Sequence, residues 1–228
     1  MGRAKLLLVL AWVLFVLYPN PMLLAVTLWH SLSPPVDVEA ARPLAERLPN
    51  DPEKVRDLVL SELVIYEYDW NVYGVPWYFP STKEVIRDGR GDCESQAVLL
   101  SSILYAKNIP HQLKISFDHI WVKYEGKVAN EIEHDSSAFI ERTDKGFEVK
   151  LPEHFDLERY IRVQTDARWH PMPAERKVLL FLGPIMILFG PWLVVFAQRV
   201  PALARVIRYT RADRRVWRTV VASRRSPK

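Results

Sequence analysis

Two long apolar runs flank the middle of this chain and constrain its fold more than any other feature. They cover residues 6–29 and 178–197. Each is close to the roughly 20 residues that a helix needs to cross the hydrocarbon core of a bilayer. The sequence therefore predicts a membrane segment over residues 1–31 and a transmembrane helix over 177–198.

Both runs carry internal breaks. The first follows Arg3 and Lys5 and is interrupted at Pro19-Asn20-Pro21. A cleaved signal peptide is the alternative reading, but no Ala-x-Ala-like site ends the first run, which favours an uncleaved, kinked helix. The second contains two Gly-Pro steps, which membrane helices tolerate better than soluble helices do.

The net charge of +4 conceals a strong asymmetry. Residues 32–176 hold 18 basic and 26 acidic residues, a balance of −8, whereas residues 177–228 hold 11 basic residues and one acidic residue. Because phosphate binding needs basic surface at the contact, nucleic acid is excluded as a partner of the acidic segment. By the positive-inside rule, both basic ends lie in the cytoplasm and residues 32–176 form an extracytoplasmic domain.

The tail over residues 199–228 is strongly basic, and its apolar residues recur at roughly helical spacing. One interpretation is a cytoplasmic helix lying on anionic membrane lipid. The other is a solvated tail that only orients the chain in the membrane. The sequence leaves both open.

The acidic segment has helical patterns first and strand patterns afterwards. Helices are expected over 52–67, 83–87 and 93–107, and strands over 112–117, 119–124, 127–133, 139–142 and 147–151. Residues 152–163 supply one more helix or strand. Helices followed by an antiparallel sheet predict an α+β domain over residues 32–176.

Cys93 is the only cysteine, and a loop signal at residues 88–92 places it in the first turn of the helix predicted over 93–107. The unpaired N–H groups and the dipole of a helix N-terminus favour the thiolate. Twenty-six residues later, His119 begins an alternating strand. These are the minimum parts of a thiol nucleophile with its base. The alternative for Cys93 is a small buried hydrophobic residue.

Three separate pieces of sequence carry a family resemblance. They are Gly91-Asp92-Cys93 with the apolar helix after it, the helix end Lys107-Asn-Ile-Pro110, and the strand His119-Ile-Trp-Val122. In order and spacing they resemble the transglutaminase-like domain of the papain-type thiol superfamily, over roughly residues 50–140. The resemblance implies a helix bearing Cys93 packed on an antiparallel sheet bearing His119. It also implies a third polar residue, and action on amide or ester acyl groups.

In that family an Asp or Asn on the strand after the histidine orients the imidazole. A two-residue turn at residues 125–126 would put Asn130 on the face of His119 and within diagonal reach, because strand side chains alternate. A turn one residue longer would instead place Glu133 opposite His119. Asp135 resembles the Asp-rich strand end of the family but lies further along. Asn130 is therefore the first choice, Glu133 the second and Asp135 the third.

An acyl-transfer site also needs donors for an oxyanion. The candidates are the backbone N–H of Cys93 and the side chains of Trp70, Trp77 and Tyr78, although each aromatic could equally belong to the core or to a cleft wall.

Four carboxylates surround the predicted site, and such groups raise the pKa of a thiol, opposing the helix dipole. They are Asp88, Asp92, Glu94 and Asp118. Their spacing is not that of a calcium loop, so the sequence assigns no metal and no other cofactor.

These features predict a membrane-anchored thiol enzyme that transfers or hydrolyses acyl groups of peptide or protein amides through Cys93, His119 and Asn130. The alternative is a non-catalytic domain of the same type that binds peptide or helps to assemble an envelope complex with protein partners. The sequence does not choose between water and an amine as the acyl acceptor.

Overall fold

The computed structural model describes residues 2–116, 119–128, 140–143, 146–149, 156–190 and 192. Contacts within the chain define two compact units. One is Leu14–Lys177, and the other combines Met1–Val13 with Val178–Lys228.

Most of the described helices precede the four strands of the larger sheet along the chain. The helices are α1 (Arg3–Leu17), α2 (Pro21–Leu32), α3 (Val38–Ala45), α4 (Pro52–Leu58), α5 (Asp69–Val72), α6 (Thr82–Asp88), α7 (Cys93–Ala106), α8 (Leu157–Gln164) and α9 (174–190). The strands are β1 (Ile65–Tyr66), β2 (Arg90–Gly91), β3 (His111–Ile115), β4 (Ile120–Tyr124), β5 (Ile140–Thr143) and β6 (Gly146–Val149). π-Helical turns follow α4 at Val59–Leu63 and α8 at Thr165–Trp169.

The larger sheet is antiparallel, with the strand order β4-β3-β5-β6. In its first hairpin His111 pairs with Tyr124 and Ile115 with Ile120. A second, two-stranded sheet pairs β1 with β2 in parallel. Helices combined with an antiparallel sheet confirm the predicted α+β class.

Helix α7 is the centre of the core of the larger unit. Its buried side chains include Leu99, Ile103 and Leu104, and they pack with Leu113 and Val122 of the sheet. Helices α3 and α6 also pack on α7. Burial of each large aliphatic side chain contributes roughly 1.5–3 kcal/mol. The position of the first turn of α7 is therefore fixed by the core behind it.

Two of the predicted helices begin at residues with capping side chains. Ser81 and Glu84 form a reciprocal capping box at the start of α6. Asp51 caps α4, whose first residue is Pro52. The helix expected over 52–67 is wrong at its end, because helical structure stops at Leu63 and the next residues form β1 against β2.

The described part of the smaller unit contains one pair of antiparallel helical segments. The indole Nε1–H of Trp12 donates to the carbonyl oxygen of Leu179 at 2.8 Å. The ammonium group of Lys5 donates to the carbonyl oxygen of Leu188 at 3.1 Å. An earlier residue of α1 thus meets a later residue of α9, which defines the antiparallel order. Gly183 of α9 packs directly against the Trp12 ring.

Among the described residues, no single helix has both the length and the apolar character required to cross a membrane. Helices α1 and α2 together meet those requirements, but their axes are bent by 79° at the break between them. The bend lies at the Pro-Asn-Pro interruption, where the sequence predicts a kink.

Some predictions fall outside the described residues. They include the basic tail over 199–228 and most of the return strand expected over 127–133; the two described residues at its start, Lys127 and Val128, are not in a strand. The expected hairpin over residues 139–151 is confirmed as β5 and β6. The segment 152–163 contributes a helix, α8, rather than a strand.

Candidate functional site

The first turn of α7 presents Cys93, as the sequence predicts. Asp92 is the N-cap residue, and its Oδ1 accepts a hydrogen bond from the N–H of Glu94 at 3.2 Å. Gly91 lies so close to the helix that an added Cβ would be 2.0 Å from Oγ of Ser95. Only glycine lets the chain enter the helix along this path, which explains the Gly-Asp pair before the cysteine.

Strands β1 and β2 hold the loop that leads to the cysteine. Tyr66 pairs with Gly91, and the N–H of Glu67 donates to the carbonyl oxygen of Gly91 at 3.0 Å. The phenol of Tyr66 lies near enough to Cys93 and Asp92 to interact with them electrostatically. Tyr66 is more than half exposed. It therefore forms a wall of the site that solvent can reach.

The thiol of Cys93 lies against strand β4. Helix α7 packs on this strand, and the sulfur lies close enough to the backbone N–H of Ile120 for the two to interact. Ile120 directly follows His119. The structure thus brings the cysteine to the strand end that carries the histidine, although the two are 26 residues apart in sequence.

His119 is held at the entrance to β4 by Ser116. The N–H of His119 donates to Oγ of Ser116 at 2.9 Å, and the N–H of Ser116 donates to the carbonyl oxygen of His119 at 2.8 Å. The imidazole stacks on the indole of Trp121, with ring centroids 5.8 Å apart and planes 10° apart. His119 and Trp121 therefore share one face of the strand, as expected from its two-residue period.

The third member of the predicted set lies outside the described residues. This holds for Asn130 and for its alternatives Glu133 and Asp135. Asp118, one of the predicted surrounding carboxylates, lies outside them as well. Asp88 is described and pairs with Arg87 at 2.7 Å, so its charge is directed to a neighbouring cation.

Glu94 connects the thiol to an aromatic side chain. Sγ of Cys93 donates to Oε2 of Glu94 at 2.9 Å, and Nε1–H of Trp77 donates to Oε1 of the same carboxylate at 3.0 Å. Burial, together with the nearby Glu94 and Asp92 carboxylates, raises the pKa of the Cys93 thiol well above its ordinary value. Burial and the carboxylates thus oppose the effect of the helix N-terminus, and the sequence predicts the part that comes from the carboxylates.

Asp69 is a site residue that the sequence reasoning missed. It is 3% exposed, and its Oδ2 accepts the N–H of Tyr78 at 2.7 Å. Its Oδ1 is buried without a hydrogen-bond partner. The carboxyl group faces that of Asp92, and burial followed by repulsion from Glu94 raises the pKa of Asp69. The signal that could have identified it is a carboxylate between two aromatic residues, Tyr68 and Trp70. Burial of a carboxylate costs free energy unless the group is hydrogen-bonded or paired with a charge.

Burial and the negative charges of Glu94 and Asp69 likewise raise the pKa of Asp92. The carboxyl groups of Asp92 and Glu94 thus lie beside the thiol, and that of Asp69 lies beside Asp92. We refer to these four residues, including Cys93, as the acidic thiol cluster. Donor atoms of Asp92, Cys93 and Glu94 lie within 4.8 Å of one another, a spacing at which they could share a metal ion.

The predicted oxyanion donors differ in whether their N–H or O–H group already has an acceptor. Nε1–H of Trp70 donates to the carbonyl oxygen of Arg168 at 2.6 Å, and the hydroxyl of Tyr78 donates to Glu84 at 2.9 Å. Trp77 points into the acidic thiol cluster through Glu94. The backbone N–H of Cys93 is at the first helical position, where the helix itself supplies no acceptor. The backbone N–H of Cys93 is therefore the better-placed donor, because the indole N–H of Trp77 is engaged by Glu94.

The arrangement defines a candidate thiol site: a partly buried cysteine at a helix start, set against the strand that follows a histidine. Comparison with models of protein families, with curated proteins and with solved structures finds no match.

Proposed function

We propose that this chain is a membrane-anchored thiol enzyme of the transglutaminase-like type, which transfers or hydrolyses acyl groups of peptide or protein amides. The observation that supports this most is the position of the Cys93 thiol, which lies close to the backbone N–H of Ile120, the residue that follows His119. A papain-like arrangement needs this meeting of a cysteine on a helix and a histidine on a strand. The sequence resemblance over residues 50–140 points to the same class.

In the proposed reaction His119 takes the thiol proton as the sulfur of Cys93 attacks the amide carbonyl carbon. The tetrahedral oxyanion collapses, the C–N bond breaks, and the leaving amine takes the proton from the imidazolium. A thioester remains on Cys93. Water or an amine, deprotonated by His119, then attacks the thioester and releases the acyl group and the thiol. In this scheme Asn130 would hold the imidazole in place.

The raised pKa of Cys93 defines what the base must do. Because burial and the carboxylates of Glu94 and Asp92 disfavour the thiolate, the resting group is the neutral thiol at neutral pH. Nucleophilic attack then requires proton removal in the same step, rather than a preformed ion pair. In this proposal His119 supplies the base that such a step needs.

Membrane anchoring is the second part of the proposal. It is supported by large apolar side chains that stay exposed on α1 and α9, including Leu7, Phe15, Val178 and Phe181. Contiguous exposed apolar surface is unusual for a protein in water. Membrane lipid would cover these helices, the basic ends would lie in the cytoplasm, and residues 32–176 would face outward. A reporter fused at Lys228 should then be active only in the cytoplasm, and extracytoplasmic activity there would contradict the topology.

A thiol-reactive activity probe applied to intact membranes tests the enzyme proposal. The probe should label the chain faster than it labels free cysteine near neutral pH, and Cys93→Ala should abolish the labelling. His119→Ala should remove the excess rate while leaving the thiol in place. Labelling no faster than that of a model thiol, with or without His119, would contradict the mechanism.

One observation favours a second function, a non-catalytic domain that binds peptide or assembles an envelope complex with protein partners. The carboxylates of the acidic thiol cluster suppress the thiolate, which an enzyme must overcome and a binding domain need not. Cys93→Ser keeps a similar size and polarity but removes the nucleophile. Full cellular function of this variant would favour the binding domain, and its loss would favour the enzyme.

A further inference from the structure

We propose that the acidic thiol cluster is a binding site for a divalent transition-metal ion of the zinc class, which occupies Cys93 and blocks it as a nucleophile. The inhibitory consequence rests on the proposed thiol chemistry, whereas metal binding itself does not. Asp92, Cys93 and Glu94 provide the converging donors, and the buried carboxyl group of Asp69 lies beside that of Asp92.

The first support is the convergence of the donor atoms. One donor atom each from Asp92, Cys93 and Glu94 lies within 4.8 Å of the other two. A tetrahedral ion with bonds of about 2.0–2.3 Å needs donors about 3.3–3.8 Å apart. Small side-chain rotations therefore bring the three donors onto one ion without movement of the α7 backbone.

The second support is independent of that group and comes from Asp69. This side chain is 3% exposed, and its Oδ1 is buried without a hydrogen-bond partner. The Asp69 carboxyl group lies within hydrogen-bonding range of the Asp92 carboxyl group, which places Asp69 at the cluster. A buried carboxylate oxygen without a donor costs free energy unless a proton or a cation satisfies it. A metal ion at the cluster would supply that missing partner.

Arg168 carries a positive charge near the cluster, but it is not the hydrogen-bond partner of Oδ1 of Asp69. The guanidinium of Arg168 lies over the Trp77 ring, 5.4 Å from its centroid, and interacts with Asp69 only through space. It donates no hydrogen bond to Oδ1 of Asp69. Three carboxyl groups thus share a partly buried region in which the charge of one arginine acts at a distance.

The donor set selects the type of ion. Calcium and magnesium prefer oxygen ligands alone, whereas zinc accepts thiolate and carboxylate ligands together. Binding would replace the thiol proton by the metal and release that proton to solvent. The sulfur lone pair would then be committed to the ion and could not attack a carbonyl.

Cobalt(II) is a spectroscopic probe of this site, because thiolate-to-cobalt charge transfer absorbs in the near ultraviolet and reports direct ligation of sulfur. The full-length chain, purified in detergent, reduced and stripped of metal, should gain this absorption on addition of Co²⁺. Zn²⁺ should displace the cobalt signal, and Ca²⁺ should not. Cys93→Ala should abolish the band. Absence of the band in the unaltered chain would overturn the proposal.

Two carboxylate variants test the remaining ligands. Glu94→Gln and Asp69→Asn should each weaken Zn²⁺ binding about tenfold or more, measured by competition with a chromophoric chelator. Asp57→Asn, at an exposed carboxylate outside the cluster, should leave binding unchanged. Circular dichroism confirms that each variant is folded. Equal affinity in both cluster variants and the unaltered chain would overturn the assignment of the ligands.

Protection of the thiol separates this inference from the enzyme proposal. Saturating Zn²⁺ should slow alkylation of Cys93 by iodoacetamide about tenfold or more, since a coordinated thiolate is a poor nucleophile. Unchanged alkylation under saturating Zn²⁺ would overturn the blocking role. If the thiol shows no enhanced reactivity without metal, the enzyme proposal fails while the cobalt band and zinc affinity still test the metal site.

Discussion

Sγ of Cys93 lies 2.9 Å from Oε2 of Glu94, so the thiol hydrogen-bonds to the side chain of the next residue along the chain. Trp77 holds the other oxygen of that carboxylate. The start of α7 therefore combines two opposed effects. Its N–H groups favour an anion, whereas Glu94 and Asp92 favour the neutral thiol.

Neutralising Glu94 should make Cys93 more reactive. Glu94→Gln removes a negative charge beside the sulfur and therefore lowers the pKa of the thiol, which Glu94 and burial now raise. Because each unit of pKa changes the thiolate fraction about tenfold below the midpoint, we expect a rate increase of about 3–10-fold at pH 7.5. The measurement is the pH profile of iodoacetamide alkylation in the presence of EDTA, and its midpoint should move to lower pH.

Glu62→Gln is the matched control for this substitution. Glu62 is an exposed residue in the π-helical turn after α4, away from the thiol. Glu62→Gln changes the net charge by the same amount as Glu94→Gln and should leave the pH profile of alkylation unchanged. A profile that is identical in Glu94→Gln and in the unaltered chain would show that burial alone suppresses the thiolate.

Asp69 should reduce the stability of the fold at neutral pH. Burial raises its pKa above the unfolded value, so the native state binds a proton more tightly than the unfolded state does. The free energy of unfolding then falls as the pH rises from about 4 toward the folded pKa. Asp69→Asn removes this titration and keeps an oxygen for the N–H of Tyr78. Its Tm should exceed that of the unaltered chain at pH 7.5, and the two should converge near pH 4.

A gain of about 1 kcal/mol corresponds to roughly 2–4 °C in Tm for a domain of this size. Thermal unfolding followed by circular dichroism in EDTA measures the difference. Asp57→Asn, at an exposed carboxylate, controls for the loss of one formal charge. A lower Tm for Asp69→Asn at every pH would show that the ionised carboxylate stabilises the fold instead.

Features encoded by adjacent residues could be predicted from the sequence. The cap of α7 at Asp92, the capping box of α6 and the β5–β6 hairpin each depend on a few neighbouring positions. The common face of His119 and Trp121 follows from the two-residue period of a strand. Cys93 as the first residue of α7 belongs to the same group.

Features fixed by distant contacts could not be predicted in this way. Helix α3 contains Pro43 and is too short for a clear hydrophobic period. It is held because the N–H of Asp37 donates to Thr82 and to Ser102, both far away in sequence. The role of Asp69 likewise depends on Tyr78, Asp92 and Glu94 meeting around it. The net effect on the thiol therefore required the three-dimensional arrangement of the acids.

Gly91 should be intolerant of any side chain. A Cβ at this position would lie 2.0 Å from Oγ and 2.5 Å from Cβ of Ser95. We expect Gly91→Ala to lower the free energy of unfolding by roughly 2–4 kcal/mol, measured by denaturant titration. Gly74 also has a positive φ, of 69°, but an added Cβ there meets nothing within 4 Å. Gly74→Ala should therefore cost only about 1–2 kcal/mol, the strain of the backbone alone.

Removing Ser95 should rescue the Gly91 substitution. In the double variant Gly91→Ala with Ser95→Gly, both atoms that the new Cβ would meet are gone. The two substitutions should then cost less together than the sum of their separate costs, by at least about 1 kcal/mol. Additive costs would show that the clash is relieved by backbone movement and does not set the path into α7.

Gly183 should be required for the packing of α9 on α1 within the smaller unit. An added Cβ would lie 1.9 Å from Nε1 of Trp12, the same atom that donates to the carbonyl oxygen of Leu179. Gly183→Ala must therefore displace the indole and break that hydrogen bond, at a cost of about 1–3 kcal/mol.

Gly190, later in the same helix, has nothing within 4 Å of an added Cβ. Both glycines precede a proline, so the strain that a Cβ adds before proline is common to both variants, and Gly190→Ala should cost less than Gly183→Ala. Thermal unfolding in detergent compares the two variants, and equal Tm values would show that α9 does not pack on Trp12 through Gly183.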